Sequence, residues 1–337
     1  MDKNRRGFQK TTIGVLAGLI LMIFMLIMPV SADPGEMAAW GNDWCGQATA
    51  QSGNDYVQVS SGYDHSLALR ENGTIVVWGD DTFGQTTDQP GNDYVQVSAG
   101  NFHSMALREN GTIVAWGEDT WGQATAPSGD DYVQVSAGGY HSLALREDGT
   151  IVAWGRNDYV QAIAPSGNDY VQVSAGGFHS LALRENGTIV AWGQNSDGKA
   201  TSPSGNDYVQ VSAGWDHNLA LRGNGTMTAW GNDFYGQGTT QPGSDYVQVS
   251  AGGYHSLALR EDGTMTAWGN DVYGQATAPS GNDYVQVSAG WSHNLALKGI
   301  VPGTTDPTHV PEFPKIAVPF MLIVGLVGAI IFAMSKK

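Results

Sequence analysis

The 337-residue chain has a single cysteine, Cys45, so no disulfide can staple it and its stability must come from packing and hydrogen bonding. Positive charge is scarce as well. Sixteen Lys and Arg face 32 Asp and Glu, a formal net charge of −16. Between residues 33 and 310 only nine basic residues stand against thirty acidic ones. Such a field repels nucleic acid and suits a crowded or salty exterior, so DNA and RNA are not expected as partners. Long apolar runs are confined to the two ends. Absent too is any insertion or deletion that would make one part of the middle differ in length from another.

That regularity is the main feature present. Trp-Gly begins at Trp40, Trp78, Trp116, Trp154, Trp192, Trp230 and Trp268, each 38 residues after the last. His65, His103, His141, His179, His217, His255 and His293 keep the same step, as does Tyr-Val-Gln-Val-Ser from Tyr56 to Tyr284. Seven equal units predict seven equivalent structural modules. Within each, Tyr-Val-Gln-Val-Ser-Ala reads as a β-branched, alternating strand. A Gly-x-x-His corner leads into His-Ser-Leu-Ala-Leu-Arg, a second strand. Asn-Gly or Asp-Gly (Asn72-Gly73, Asn110-Gly111, Asp148-Gly149) then predicts a type I′ hairpin turn. Thr-Ile-Val-Ala-Trp-Gly is the third strand, and a Pro-, Ser-, Gly- and Asp-rich stretch joins one unit to the next.

Three-stranded sheets that are apolar on both faces cannot bury both alone, whereas a ring of them can. The expected fold is all-β, a seven-bladed β-propeller with about three antiparallel strands per blade. The chain enters with an unpartnered third strand, Met37 to Gly41, and leaves after an unpartnered hairpin ending near Lys298. Pairing of these two fragments would close the ring.

The flanks suggest export. Residues 1–32 carry Lys3, Arg5, Arg6 and Lys10, an apolar run and Ser31-Ala32, the pattern of a signal peptide. The propeller is assigned to 33–301, a stalk and sorting motif to 302–315, and a membrane segment with a basic end to 316–337. Pro311-Glu312-Phe313-Pro314, the apolar run and the terminal lysines together resemble the archaeal PEF-type C-terminal sorting signal. That resemblance implies a processed tail and an outward-facing propeller, anchored by the segment or by a lipid.

Val135 to Gly155, Val-Ser-Ala-Gly-Gly-Tyr-His-Ser-Leu-Ala-Leu-Arg-Glu-Asp-Gly-Thr-Ile-Val-Ala-Trp-Gly, resembles the regulator of chromosome condensation repeat. The likeness recurs in every unit across roughly residues 36–301. Members of that family are seven-bladed propellers. The compact 38-residue unit is similar to secreted bacterial members, including a propeller-type β-lactamase inhibitory protein with three-stranded blades. The resemblance implies a binding scaffold without naming a ligand.

Strand direction puts the Gly-x-x-His corners and the segments after Trp-Gly on one face. The corners each carry an aromatic: Tyr63, Phe102, Tyr140, Phe178, Trp215, Tyr254 and Trp291. After Trp-Gly come Trp44, Phe83, Trp121, Tyr159, Phe234, Tyr235 and Tyr273, while the unit starting at Trp192 offers Asn195, Ser196 and Asp197. Asp43, Asp64, Asp81, Asp119, Asp158, Asp216, Asp233 and Asp271 lie among them. For the corner rings, wedging between blades and exposure to a ligand both stay open. The second set reads as exposed, and large rings on rigid loops are what binding surfaces use.

Other features carry less. The His-Ser pair lacks the unique asymmetric constellation a hydrolase needs, and a histidine bonding neighbouring backbone is the expected role. Ser-Gly-Asn-Asp offers too few oxygens for calcium and reads as a turn. Asn72, Asn110, Asn186 and Asn224 are possible glycosylation acceptors in Asn-Gly-Thr, a sequence the hairpin also requires. The expectation is an exported cell-surface binding or adhesion module for an extracellular protein or glycan. It is not expected to be an enzyme or to hold a cofactor or metal. The alternative is a non-catalytic structural component of the cell envelope.

Overall fold

The computed structural model describes residues 35–299, twenty-one strands arranged as seven three-stranded antiparallel sheets. The signal peptide, stalk, sorting motif and membrane segment assigned from sequence lie outside the described residues. Among those described, no helix is long and apolar enough to cross a membrane. Blade 1 comprises β2 (Tyr56–Ser61), β3 (His65–Arg70) and β4 (Ile75–Gly79), and blades 2 to 6 repeat that order. Blade 7 is composite. Its inner and middle strands are β20 (Tyr284–Ala289) and β21 (His293–Lys298), and its outer strand is β1 (Met37–Gly41), with Met37 opposite Leu297 and Gly41 opposite His293. The ring closes as the two half-units required. The stretch after Trp-Gly forms no fourth strand.

Each apolar cluster belongs to a blade boundary. Leu143, Leu145 and Ile151 of blade 3 pack on Tyr170, Val173 and Ala182 of blade 4, with Trp192 against the group. Fully buried leucines of this kind stabilise by about 1.5–3 kcal/mol each. In every blade the inner strand bulges once, between Tyr170 and Gln172 in blade 4, so the tyrosine meets its arginine across the sheet while Gln172 meets Leu183.

The hairpin turn differs from the expected type I′. In Glu71-Asn72-Gly73-Thr74 only Gly73 has positive φ, at 77°, and Gly73 N–H donates to the Arg70 carbonyl while Arg70 N–H donates to that of Thr74. This is a type I turn followed by a glycine bulge. Asn72 stays at negative φ because its Oδ1 accepts both the Thr74 N–H and hydroxyl, at 3.0 and 2.7 Å. Asp148 does the same for Thr150.

The inner strands leave an unpaired edge toward the axis, and side chains cover it. Gln58 Oε1 accepts from Val97 N–H at 2.9 Å and its Nε2 donates to the Val97 carbonyl at 3.3 Å, while Ser60 Oγ accepts from Ala99 N–H at 2.9 Å. The glutamine acceptor bond recurs at all seven boundaries, ending with Gln286 to Val59. A covered edge cannot recruit a foreign strand.

Candidate binding face

The corners are built around glycine. A Cβ on Gly62 would stand 2.5 Å from the Gly100 carbonyl of the next blade, a carbonyl that accepts from Tyr63 N–H at 3.2 Å. The bond repeats boundary by boundary until Trp291 N–H donates to Gly62. The channel inside this hoop is a polar cavity of about 180 Å³, walled by the serines, alanines and glycines that end the inner strands.

One mouth of the channel is covered by the corner aromatics. Trp291 lies 4.5 Å from Tyr63, 4.8 Å from Trp215 and 5.0 Å from Tyr254, centroid to centroid. Trp215 also meets Phe178 and Tyr140, and Tyr63 meets Phe102, so all seven rings join in one cluster. Each is half-buried. The open question of wedging or exposure resolves into neither, because the rings stack on one another across the axis. Edge and tilted contacts of this sort add about 0.5–1.5 kcal/mol per pair. Their shift between two adjacent corner positions also has a cause. At Gly139 and Gly177 a Cβ would come within 2.9 and 2.7 Å of the Trp215 ring, so blades 3 and 4 give up their first corner side chain to let it lie across. Burial pushes the Tyr63 and Tyr254 phenols above their ordinary pKa, reinforced by neighbouring carboxylates.

The post-Trp-Gly rings form the rim, joined to the central cluster by Phe83 on Phe102, Tyr159 on Phe178 and Tyr235 on Tyr254. All seven of them are exposed, most of all Trp44 and Phe234 at 81% each. The structure therefore brings together both predicted sets on one face. Cys45, in the same rim, is exposed, and partial desolvation together with Asp64 and Asp80 raises its thiol pKa, which favours an unreactive protonated form.

Some predicted roles change. Asp64 and Asp216 are not free specificity groups. Asp64 accepts from Gln47 Nε2 at 3.0 Å, and its pKa is raised by burial and then by Asp80. Asp216 pairs with the buried Lys199 ammonium, which also reaches Gln194 at 2.7 Å. Asp43, Asp81, Asp119 and Asp271 each accept a backbone N–H of their own loop and so shape the rim as well as charge it. The Ser-Gly-Asn-Asp segments, read from sequence as turns, also spend their carboxylate on arginine, as in Asp55 with Arg70 at 2.5 Å, while that guanidinium sits over the Tyr56 ring at 4.7 Å.

Sequence reasoning passed over Arg156. Its guanidinium lies 4.7 Å from the Trp121 ring, 5.4 Å from Tyr140 and 5.3 Å from Phe178, and its Nε donates to Asp158 at 2.6 Å. Its position holds Asn42, Asp80, Glu118, Gln194, Asn232 or Asn270 in the other units, and that departure was a usable signal.

The histidines also differ from expectation, because each bonds a side chain of the next blade rather than backbone. His293 Nε2 lies 2.9 Å from Ser66 Oγ, and that hydroxyl donates onward to the Gln47 carbonyl at 2.9 Å. The hydroxyl's one proton is thereby used, so the histidine must donate. Asn218 does the serine's task for His179, giving Nδ2 to the Lys199 carbonyl and accepting with Oδ1. All seven rings are fully buried, with pKa values lowered by desolvation to about 3 or 4. They are neutral latches between blades, and their repetition removes the case for nucleophilic catalysis.

Six segments, 56–85, 94–123, 132–161, 170–199, 208–237 and 246–275, match the model of the regulator of chromosome condensation (RCC1) repeat, together more than half of the chain. Prp20p of Saccharomyces cerevisiae is similar in structure, with a TM-score of 0.68 at 17% identity over 81% of this chain and 93% of that one. Human WBSCR16 gives 0.69 at 17% identity, covering 79% of this chain and 99% of its own. The ectodomain of the Physcomitrella patens receptor kinase CR4 gives 0.60 at 22% identity, covering 70% and 68%. No curated protein matches the chain in sequence. With the repeat model fitted to six blades and the seventh completed by the two ends, the chain belongs to the regulator of chromosome condensation (RCC1) repeat family.

Proposed function

We propose that this protein is an exported, membrane-anchored binding or adhesion module that engages an extracellular protein or glycan through its aromatic face. One observation carries the reading: a contiguous aromatic surface, rimmed by exposed rings and carboxylates, on a scaffold rigidified at every blade boundary. Rigid loops bearing large rings lose little entropy on binding, and a few such anchors supply most of the affinity. Protein binding is reported for relatives of this fold, since Prp20p is described with binding properties toward Gsp1p and histones. The acidic propeller argues against carrying over a nucleic-acid partner.

Lys298 N–H donates to the Glu36 carbonyl at 2.9 Å, so both described ends lie at the hairpin-turn face, opposite the aromatic one. The test is a partner pull-down from native cell envelopes together with a glycan array, using wild type and a Trp44→Ala/Trp291→Ala variant. A saturable ligand lost at least tenfold in the variant is expected. A ligand held equally by both would end the proposal.

A further inference from the structure

The aromatic face is not uniform around its rim, and its asymmetry indicates where contact is made. Four residues past each Trp of Trp-Gly lies an exposed position of the rim. In the loops after blades 5, 6 and 7 this residue is Phe234, Val272 and Trp44, exposed by 81%, 74% and 81%. In the loops after blades 1 to 4 it is Thr82, Thr120, Asp158 and Ser196. Three consecutive loops therefore hold out apolar groups in solvent, whereas outside them Val160 and Ile163, exposed by 53% and 56%, belong to the single loop that also holds Arg156. Inward of them Tyr235 meets Phe234 at 4.8 Å and Tyr273 meets Trp44 at 5.4 Å, which props two of the three from behind.

Charge sets the loops after blades 3 and 4 apart from the other five. The loops after blades 3 and 4 contain the two basic residues of this face, Arg156 and Lys199, and have the neutral Asn157 and Asn195 at the third position past Trp. Arg156 also caps Trp121, Tyr140 and Phe178, so those rings are already occupied. The apolar arc instead has Asp233, Asp271 and Asp43 at that third position and no Lys or Arg in its loops. Phe234 and Val272 have no polar atom with which to orient a sugar hydroxyl. An uncovered apolar centre fringed by carboxylates complements an apolar patch fringed by cations.

We infer that the arc of Phe234, Val272 and Trp44 is the docking surface for a protein partner that presents an apolar patch rimmed by Lys and Arg. The inference rests on the reading of the aromatic face as the binding face, and narrows it to one side and one class of partner.

The probe is a phage-displayed library of random peptides panned on the full chain. Peptides combining aliphatic or aromatic residues with Lys or Arg should be enriched over the input. Their binding should fall at least tenfold with Phe234→Ser/Trp44→Ser and change less than twofold with Trp121→Ser. The variants alter side chains that are largely in solvent, so folding is preserved, and an unchanged melting curve confirms it. A second variant isolates charge. Asp43→Asn/Asp233→Asn/Asp271→Asn keeps the loop bonds, because Asn195 already accepts the equivalent Ala200 N–H and Thr201 hydroxyl, at 2.9 and 3.3 Å. It should remove most of the salt dependence of binding. No enrichment, enrichment without basic residues, or peptides indifferent to the arc variants would overturn the inference. A glycan bound through Trp291 and unaffected by the arc variants would overturn it too, while leaving the aromatic face as the binding face.

Discussion

The seven histidines are the residues on which the ring most depends, and they make its stability fall with acidity. Each is buried, neutral and a donor, with a pKa depressed to about 3 or 4 against 6.5 in the unfolded chain. Above 6.5 neither state is protonated and pH has no effect through them. As pH drops below 6.5 the unfolded chain takes up protons that the folded ring refuses, so stability falls by up to about 1.4 kcal/mol per pH unit for each histidine. Between pH 6.5 and 5 this loss is the histidines' contribution. We expect cooperative loss of structure on acidification through this window, followed by tryptophan fluorescence, and a flat response from pH 7 to 8. A chain equally stable at pH 7 and 5 would contradict the latch role. Sequence alone singled out these histidines by their period but not their partner. That partner is the Ser or Asn one position later in the next blade, 39 residues on in six cases and Ser66 for His293, and only the packing of neighbouring blades brings it to 2.6–2.9 Å.

At the scale of the strand, the inner Tyr-Val-Gln-Val-Ser segment looks like an ordinary alternating strand, and its polar positions look merely solvated. They are in fact the means of covering the open edge. Gln172 holds both the N–H and the carbonyl of Val211, at 2.9 and 3.2 Å. Gln172→Met keeps length and volume but strands both backbone groups, so it should cost about 2 kcal/mol, read from denaturant midpoints. Gln172→Glu, which still accepts but cannot donate, should cost less. Equal costs would mean that the glutamine contributes packing alone. The hairpins show the reverse relation between sequence and structure. Asn-Gly or Asp-Gly correctly located all six, but the turn geometry was decided by whether the Asn or Asp side chain found the following threonine, a contact that keeps it out of the left-handed region.

At the scale of the whole molecule, closure depends on one five-residue strand. β1 places Met37 in the core shared by blades 7 and 1 and Trp40 against blade 6's connection, where its Nε1 donates to the Gln275 carbonyl at 3.3 Å. A chain beginning after Gly41 would leave the β21 edge open. It should melt about 10 °C or more lower and self-associate, seen by thermal denaturation and size exclusion, with monomer recovered on adding a peptide of residues 35–41. An unchanged melt would show that six and two-thirds blades suffice.

The sequence by itself determined the architecture. Blade number, three strands per blade, composite closure and the shared face of the two aromatic sets all follow from an uninterrupted 38-residue period and the alternation of strand direction. The tertiary structure decided what each polar and aromatic residue does there. Whether Asp216 is a free carboxylate or the partner of buried Lys199, whether Trp121 is open or capped by Arg156, and whether the corner rings face a ligand or one another depend on residues in neighbouring loops and blades. A repeat specifies its own fold through local pattern and its contacts through the neighbour it meets, and that neighbour is fixed only when the ring closes.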